Sequence, residues 1–213
     1  MGKSRTLIIG STFVVLGSMC YYISFFSPYW LVSEERSDNP FQRIGLWEAC
    51  LKNFVDPKDY VSKLYNGCWW IFWPEYIEIR YWLNPSWFVA LQVLASFNFV
   101  ILTIGMLIVT GLACHCCSRD NDTNILRGLC FVFISFLLST IEAILFGLGS
   151  IDRTWMPKID FNTLAWGYWL HVIGGFCTFI SAVALFCNWF SRRYEELDDK
   201  DGSGSGSGHS GSY

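Results

Sequence analysis

Four long stretches without charge constrain this chain more than any other feature. Residues 6–27, 87–113 and 165–190 contain no Asp, Glu, Lys or Arg, and residues 128–149 contain only Glu142. Each is long enough, at about 1.5 Å per residue, to cross a hydrocarbon core roughly 30 Å thick. Lipid offers no partner for a bare backbone N–H or C=O, so each stretch must be a helix. Hydrophobic residues make up 53% of the chain and charged residues 15%, the balance of a membrane protein. Lys3 and Arg5 precede the first stretch in the manner of a signal peptide. Its length and the poor cleavage site at Ser27-Pro28-Tyr29-Trp30 mark it instead as a retained helix.

Four spans place both termini on one side. Lys3, Arg5, Arg119, Arg127, Arg192 and Arg193 flank the spans on that side, against Arg153 and Lys158 in the short loop 150–164. Basic residues collect on the cytoplasmic side, so the termini are expected to be cytoplasmic and loops 28–86 and 150–164 outside the cell. Residues 1–190 therefore read as one four-span domain and 191–213 as a flexible cytoplasmic tail. That tail runs from basic to acidic and then into a Gly/Ser repeat that cannot bury a core.

Loop 28–86 is long enough to fold as a small unit. Residues 41–47 partly alternate as a half-buried strand should, and Asp56-Pro57-Lys58-Asp59 reads as a turn between two strand-like segments. Cys50 and Cys68 are the two cysteines expected outside both membrane and cytoplasm. In an oxidising compartment they most simply pair, the alternative being two buried free thiols. The run Trp69-Trp70-Ile71-Phe72-Trp73 is too apolar to stand bare in water. Trp69, Trp70, Phe72 and Trp73 are therefore a candidate contact surface, for the loop's own core, lipid headgroups or a partner.

Pro28-Tyr29-Trp30 at the exit of the first span, then Gly45-Leu46-Trp47, Cys50 and Cys68, resemble the signature of the claudin superfamily. That superfamily includes the peripheral myelin and epithelial membrane proteins and auxiliary subunits of receptors and channels. Arg80 stands where claudins carry an arginine before the second span. The resemblance covers roughly residues 5–190. It implies a membrane four-helix bundle, all-α in its spans and left-handed, bearing a small extracellular antiparallel β-sheet whose neighbouring strands Cys50 and Cys68 would pin. The interval from Cys50 to Cys68 is longer than vertebrate claudins usually have, and the tryptophan run after Cys68 is unlike theirs. Both features resemble the divergent claudin-like proteins of invertebrate septate junctions.

By that resemblance the chain is a cell-junction protein of the lateral plasma membrane. It would form or organise a paracellular barrier, associating with itself or other claudin-like proteins in cis and in trans. The alternative is an auxiliary subunit that modulates the gating or trafficking of a channel or receptor, because one fold supports both roles. Pore-forming claudins set ion selectivity with charges beside the two cysteines. Here Asn53, Trp69 and Trp70 hold those places, and the loop's eight acidic and six basic residues nearly cancel, which favours a barrier.

Glu142 is the one acid inside a span, an expensive placement unless partnered. His171 is the expected partner in an intramembrane polar pair, with Gln92 and Asn98 as further choices; a structural hydrogen bond between helices is expected rather than a proton path. Cys114-His115-Cys116-Cys117 cannot readily wrap one tetrahedral zinc ion. At the cytoplasmic end of a span, Cys114, Cys116 and Cys117 are instead candidates for S-palmitoylation. Asn121-Asp122-Thr123 is a glycosylation sequon in a loop expected to be cytoplasmic, hence unused. Tyr194-Glu195-Glu196-Leu197 has the form of an endocytic signal, and Gly211 replaces the hydroxyl residue that a PDZ-binding tail needs. No catalytic grouping, cofactor motif, metal set or nucleic-acid-binding patch is visible, so neither an enzyme nor a cofactor is expected.

Overall fold

The computed structural model describes residues 2–34, 39–58, 63–114, 122–153 and 155–204. Helix α1 is Gly2–Phe26. Four strands follow: β1 Leu31–Ser33, β2 Phe41–Ile44, β3 Glu48–Val55 and β4 Leu64–Trp70. A 3-10 turn at Pro74–Tyr76 and the short helix α2, Arg80–Leu83, lead into α3, Ser86–Ala113. Helix α4 is Asp122–Ser150, β5 is Asn162–Leu164 and α5 is Trp166–Gly204.

All four expected spans are helices long and apolar enough to cross a membrane: Arg5–Phe26, Ser86–Ala113, Thr123–Ser150 and Trp166–Glu195. The third begins before the apolar stretch that signals it, because the helix continues through Asn124 and Arg127. The fourth runs past Phe190 as helix to Gly204, into the segment expected to be a flexible tail.

The helices form a closed ring, with α1 packed on α3 and α5, and α4 packed on α3 and α5. Small residues let the backbones close in, as helix association in lipid requires. A Cβ on Gly17 of α1 would lie 3.1 Å from the carbonyl oxygen of Gly174 on α5.

Where α1 ends, α3 begins, α4 ends and α5 begins, the chain builds an antiparallel sheet in the order β4-β3-β2-β1-β5. Strands β1 to β4 come from residues 28–86, while β5 comes from the second loop and pairs with β1, Leu31 opposite Leu164. The run 41–47 is not one strand. It breaks after Ile44 in a tight turn closed by the Gly45 N–H donating to the Glu48 carbonyl at 2.8 Å. Between sheet and bundle, Trp155 is buried. Its indole nitrogen donates to the Leu83 carbonyl, and its ring lies 4.7 Å from that of Trp87 and 5.3 Å from that of Phe88.

Candidate functional site

Trp30 is the joint between bundle and sheet. Its buried indole donates to the Ser24 carbonyl at 2.8 Å, and its backbone bonds both neighbours, N–H to Ile44 and carbonyl to Ala165 N–H. Its ring meets Phe146 of α4 at 4.9 Å and His171 of α5 at 5.0 Å. One residue thus ties α1, α4 and α5 together through its side chain and to β2 and Ala165 through its backbone.

Gly45 passes directly under the exit of α1. A Cβ there would sit 2.0 Å from the Ser27 carbonyl oxygen and 2.6 Å from Pro28 Cα, so backbone fills the space that any side chain would need. Leu46 is buried, and its carbonyl accepts from the Gln92 side chain, two turns into α3, at 2.6 Å. Trp47 packs on Phe25, ring centroids 5.2 Å apart, and its carbonyl accepts from the Ile71 N–H. The Gly45-Leu46-Trp47 triplet therefore fastens the sheet to the C-terminal end of α1 and the N-terminal end of α3.

Cys50 and Cys68 are disulfide-bonded and sit directly opposite each other on β3 and β4. Glu48 lies beside them, but sulfurs joined to each other offer no thiolate to a metal. Arg43, facing Cys50 from β2, places its Nε 3.1 Å from the Cys50 sulfur. The guanidinium lies 4.5 Å over the Tyr29 ring, bonds the Tyr29 hydroxyl and comes within 4.0 Å of Glu48. The surroundings of the disulfide are therefore not neutral, as Asn53, Trp69 and Trp70 imply along the chain. They hold an Arg–Glu pair whose charges offset. Adjacency in sequence could not expose this, because Arg43 arrives from a neighbouring strand.

Arg80 closes the far end of β4. Its Nε donates to the Ile71 carbonyl and its Nη2 to those of Phe72 and Trp73, at 3.0 to 3.3 Å. Tyr76, which the sequence did not single out, places its buried hydroxyl 3.0 Å from the Ala49 carbonyl and 3.1 Å from that of Gly67, and burial raises its phenol above the ordinary range. Trp69, Trp70, Phe72 and Trp73 remain exposed at this end of the sheet.

On the other side, a groove of about 960 Å³ opens between the sheet and the start of α5. Tyr29, Arg43, Lys52, Glu34 and Trp166 are among its lining residues. Both signs of charge face it.

Inside the bundle, Glu142 and His171 come together, Oε2 to Nε2 at 3.6 Å, both buried. The Tyr21 hydroxyl lies 3.1 Å from the same carboxylate oxygen and 2.9 Å from the Ala95 carbonyl. His171 also bonds the Ser139 carbonyl at 3.1 Å, while Asn98 bridges Ser135 and Ser139. Gln92, one of the two further choices for Glu142 beside Asn98, is used instead by Leu46 and Asn84. Tyr21 was the missed member; a lone tyrosine in an apolar run carries no signal of a distant acid. Cys114 is exposed at the C-terminal end of α3, whereas Cys116, Cys117 and Asn121 lie outside the described residues.

The family model described as PMP-22/EMP/MP20/Claudin tight junction matches residues 15–187, the bundle and both sheet-forming loops. The chain belongs to the claudin family. It is a four-span plasma-membrane protein of the tight-junction type, and the expected superfamily and fold hold. No curated protein matches the chain. The claudin match ends inside α5 at residue 187, so the helical extension to Gly204 lies beyond the family's shared part.

Proposed function

We propose that this claudin-family chain is a cell-junction protein that forms or organises a paracellular barrier, with cytoplasmic termini and the sheet outside the cell. The observation that carries the reading is the manner in which the sheet is held. Trp30, Gly45-Leu46-Trp47 and the Cys50–Cys68 disulfide fix it on one end of the bundle, so contacts made through it keep one geometry relative to the membrane. A surface ordered before it binds loses less conformational entropy on association. That suits a protein repeated many times along a junction, in cis with itself or other claudin-like chains and in trans through its outer loops.

A barrier is favoured over a selective pore by the pairing of Arg43 with Glu48 at the disulfide and by the mixed charges of the groove. A selective path needs uncompensated charge of one sign to focus the field. Imaging the tagged chain in a polarised epithelium tests the reading. Concentration at lateral contacts is expected. Diffuse membrane signal, with stoichiometric co-purification of one channel, would assign the auxiliary-subunit role instead.

A further inference from the structure

We propose that the end of β4 and the turn after it form an interfacial anchor in which Trp70, Phe72, Trp73 and Ile77 seat in the lipid headgroup layer on the sheet side of the membrane. These four side chains are 56%, 46%, 52% and 58% exposed, a density of bare apolar surface that is costly in water.

Their depth follows from the bonds that hold the segment. The Ile71 N–H donates to the Trp47 carbonyl, and the Trp47 ring rests on Phe25, next to the last residue of α1. Leu46, one residue before Trp47, is bonded by Gln92 within the α3 span. At the other end Arg80, six residues before that span, grips the carbonyls of residues 71–73. The turn is thus tied at both ends to the outer limit of two spans. Phe26, Val89 and Val93, on the adjoining ends of those two spans, are apolar and exposed as well.

The chemistry suits a half-wet layer better than open water or hydrocarbon. Arg80 supplies donors to the Ile71 and Phe72 carbonyls and a second donor to that of Trp73, which also accepts from the Tyr76 N–H, while its guanidinium lies 5.9 Å over the Phe72 ring. Within the turn, the Trp73 N–H bonds the Trp70 carbonyl and the Ile77 N–H bonds that of Pro74. Glu75, an acid that headgroup phosphates would repel, is paired with Lys63 at 3.1 Å. Tryptophan is the side chain that favours this layer, its ring apolar and its N–H able to reach water or headgroup oxygen. The anchor would fix the angle of the sheet against the membrane at its β4 end, opposite the β5 edge.

The test uses the full chain in phosphatidylcholine nanodiscs containing a lipid with a diazirine beside its glycerol ester, followed by peptide mass spectrometry. Label on residues 70–77 several-fold above label on β3 is expected, together with protection of Trp70 and Trp73 from dissolved hydroxyl radicals. Equal label on the two segments, with ready oxidation of Trp70 and Trp73, would overturn the proposal and leave the patch open to a protein partner. The readout requires no substitution and does not depend on the junction role.

Discussion

At Gly45 the obstacle to any side chain is backbone, which cannot swing aside. Gly45→Ala would place a carbon 2.0 Å from the Ser27 oxygen and is expected to cost roughly 3 kcal/mol or more. Gly67 has open space around it, with its nearest contact at 3.4 Å, but its φ of +99° strains any L side chain, so Gly67→Ala is expected to cost about 2 kcal/mol. Cell-surface delivery of the two variants checks the ranking: near-absent for the first, mildly reduced for the second. Glu142 separates charge from shape. Gln keeps an oxygen for Tyr21 and is expected to stay within about 1 kcal/mol of the native chain, while Glu142→Ala leaves Tyr21 and His171 around a gap and costs about 3 kcal/mol. Thermal unfolding in detergent measures both. Equal damage from the two would mean that the carboxylate's charge is needed, as a proton or ion path requires.

Between elements, the sheet has two independent fastenings at its β4 edge. Reducing Cys50–Cys68 is expected to cost about 3 kcal/mol by freeing the loop it closes. The loss should appear as faster hydrogen exchange in β3 and β4, with the spans unaffected. Arg80→Lys keeps the charge but cannot match a planar fork that reaches three carbonyls. It is expected to lose about 1 kcal/mol, against about 2 for Arg80→Ala, read as protease cleavage between residues 71 and 79. The spans were legible because charge-free runs of that length permit one structure in lipid. The disulfide and the Trp30 and Gly45 positions were legible because topology and an ordered family motif marked them. The β1–β5 pairing was not, since three residues after a second loop carry no register signal, and Arg43 at the disulfide was not, since its neighbours are set by strand order. The extent of α5 was not legible either, since a polar composition says where lipid stops, not where helix stops.

For the molecule as a whole, orientation and role are tested on cells. With cytoplasmic termini, Asn121-Asp122-Thr123 stays unglycosylated, so glycosidase treatment of the cell-expressed chain is expected to leave its gel mobility unchanged; a shift would invert the topology. The proposed barrier role would require many copies to present the same sheet across a gap, each held by Trp30 and the disulfide. The most direct test is paracellular tracer flux across an epithelial layer from which the chain has been deleted and then restored. The account predicts that flux rises on deletion and returns to its original level on restoration. Unchanged flux across a layer lacking the chain would contradict it.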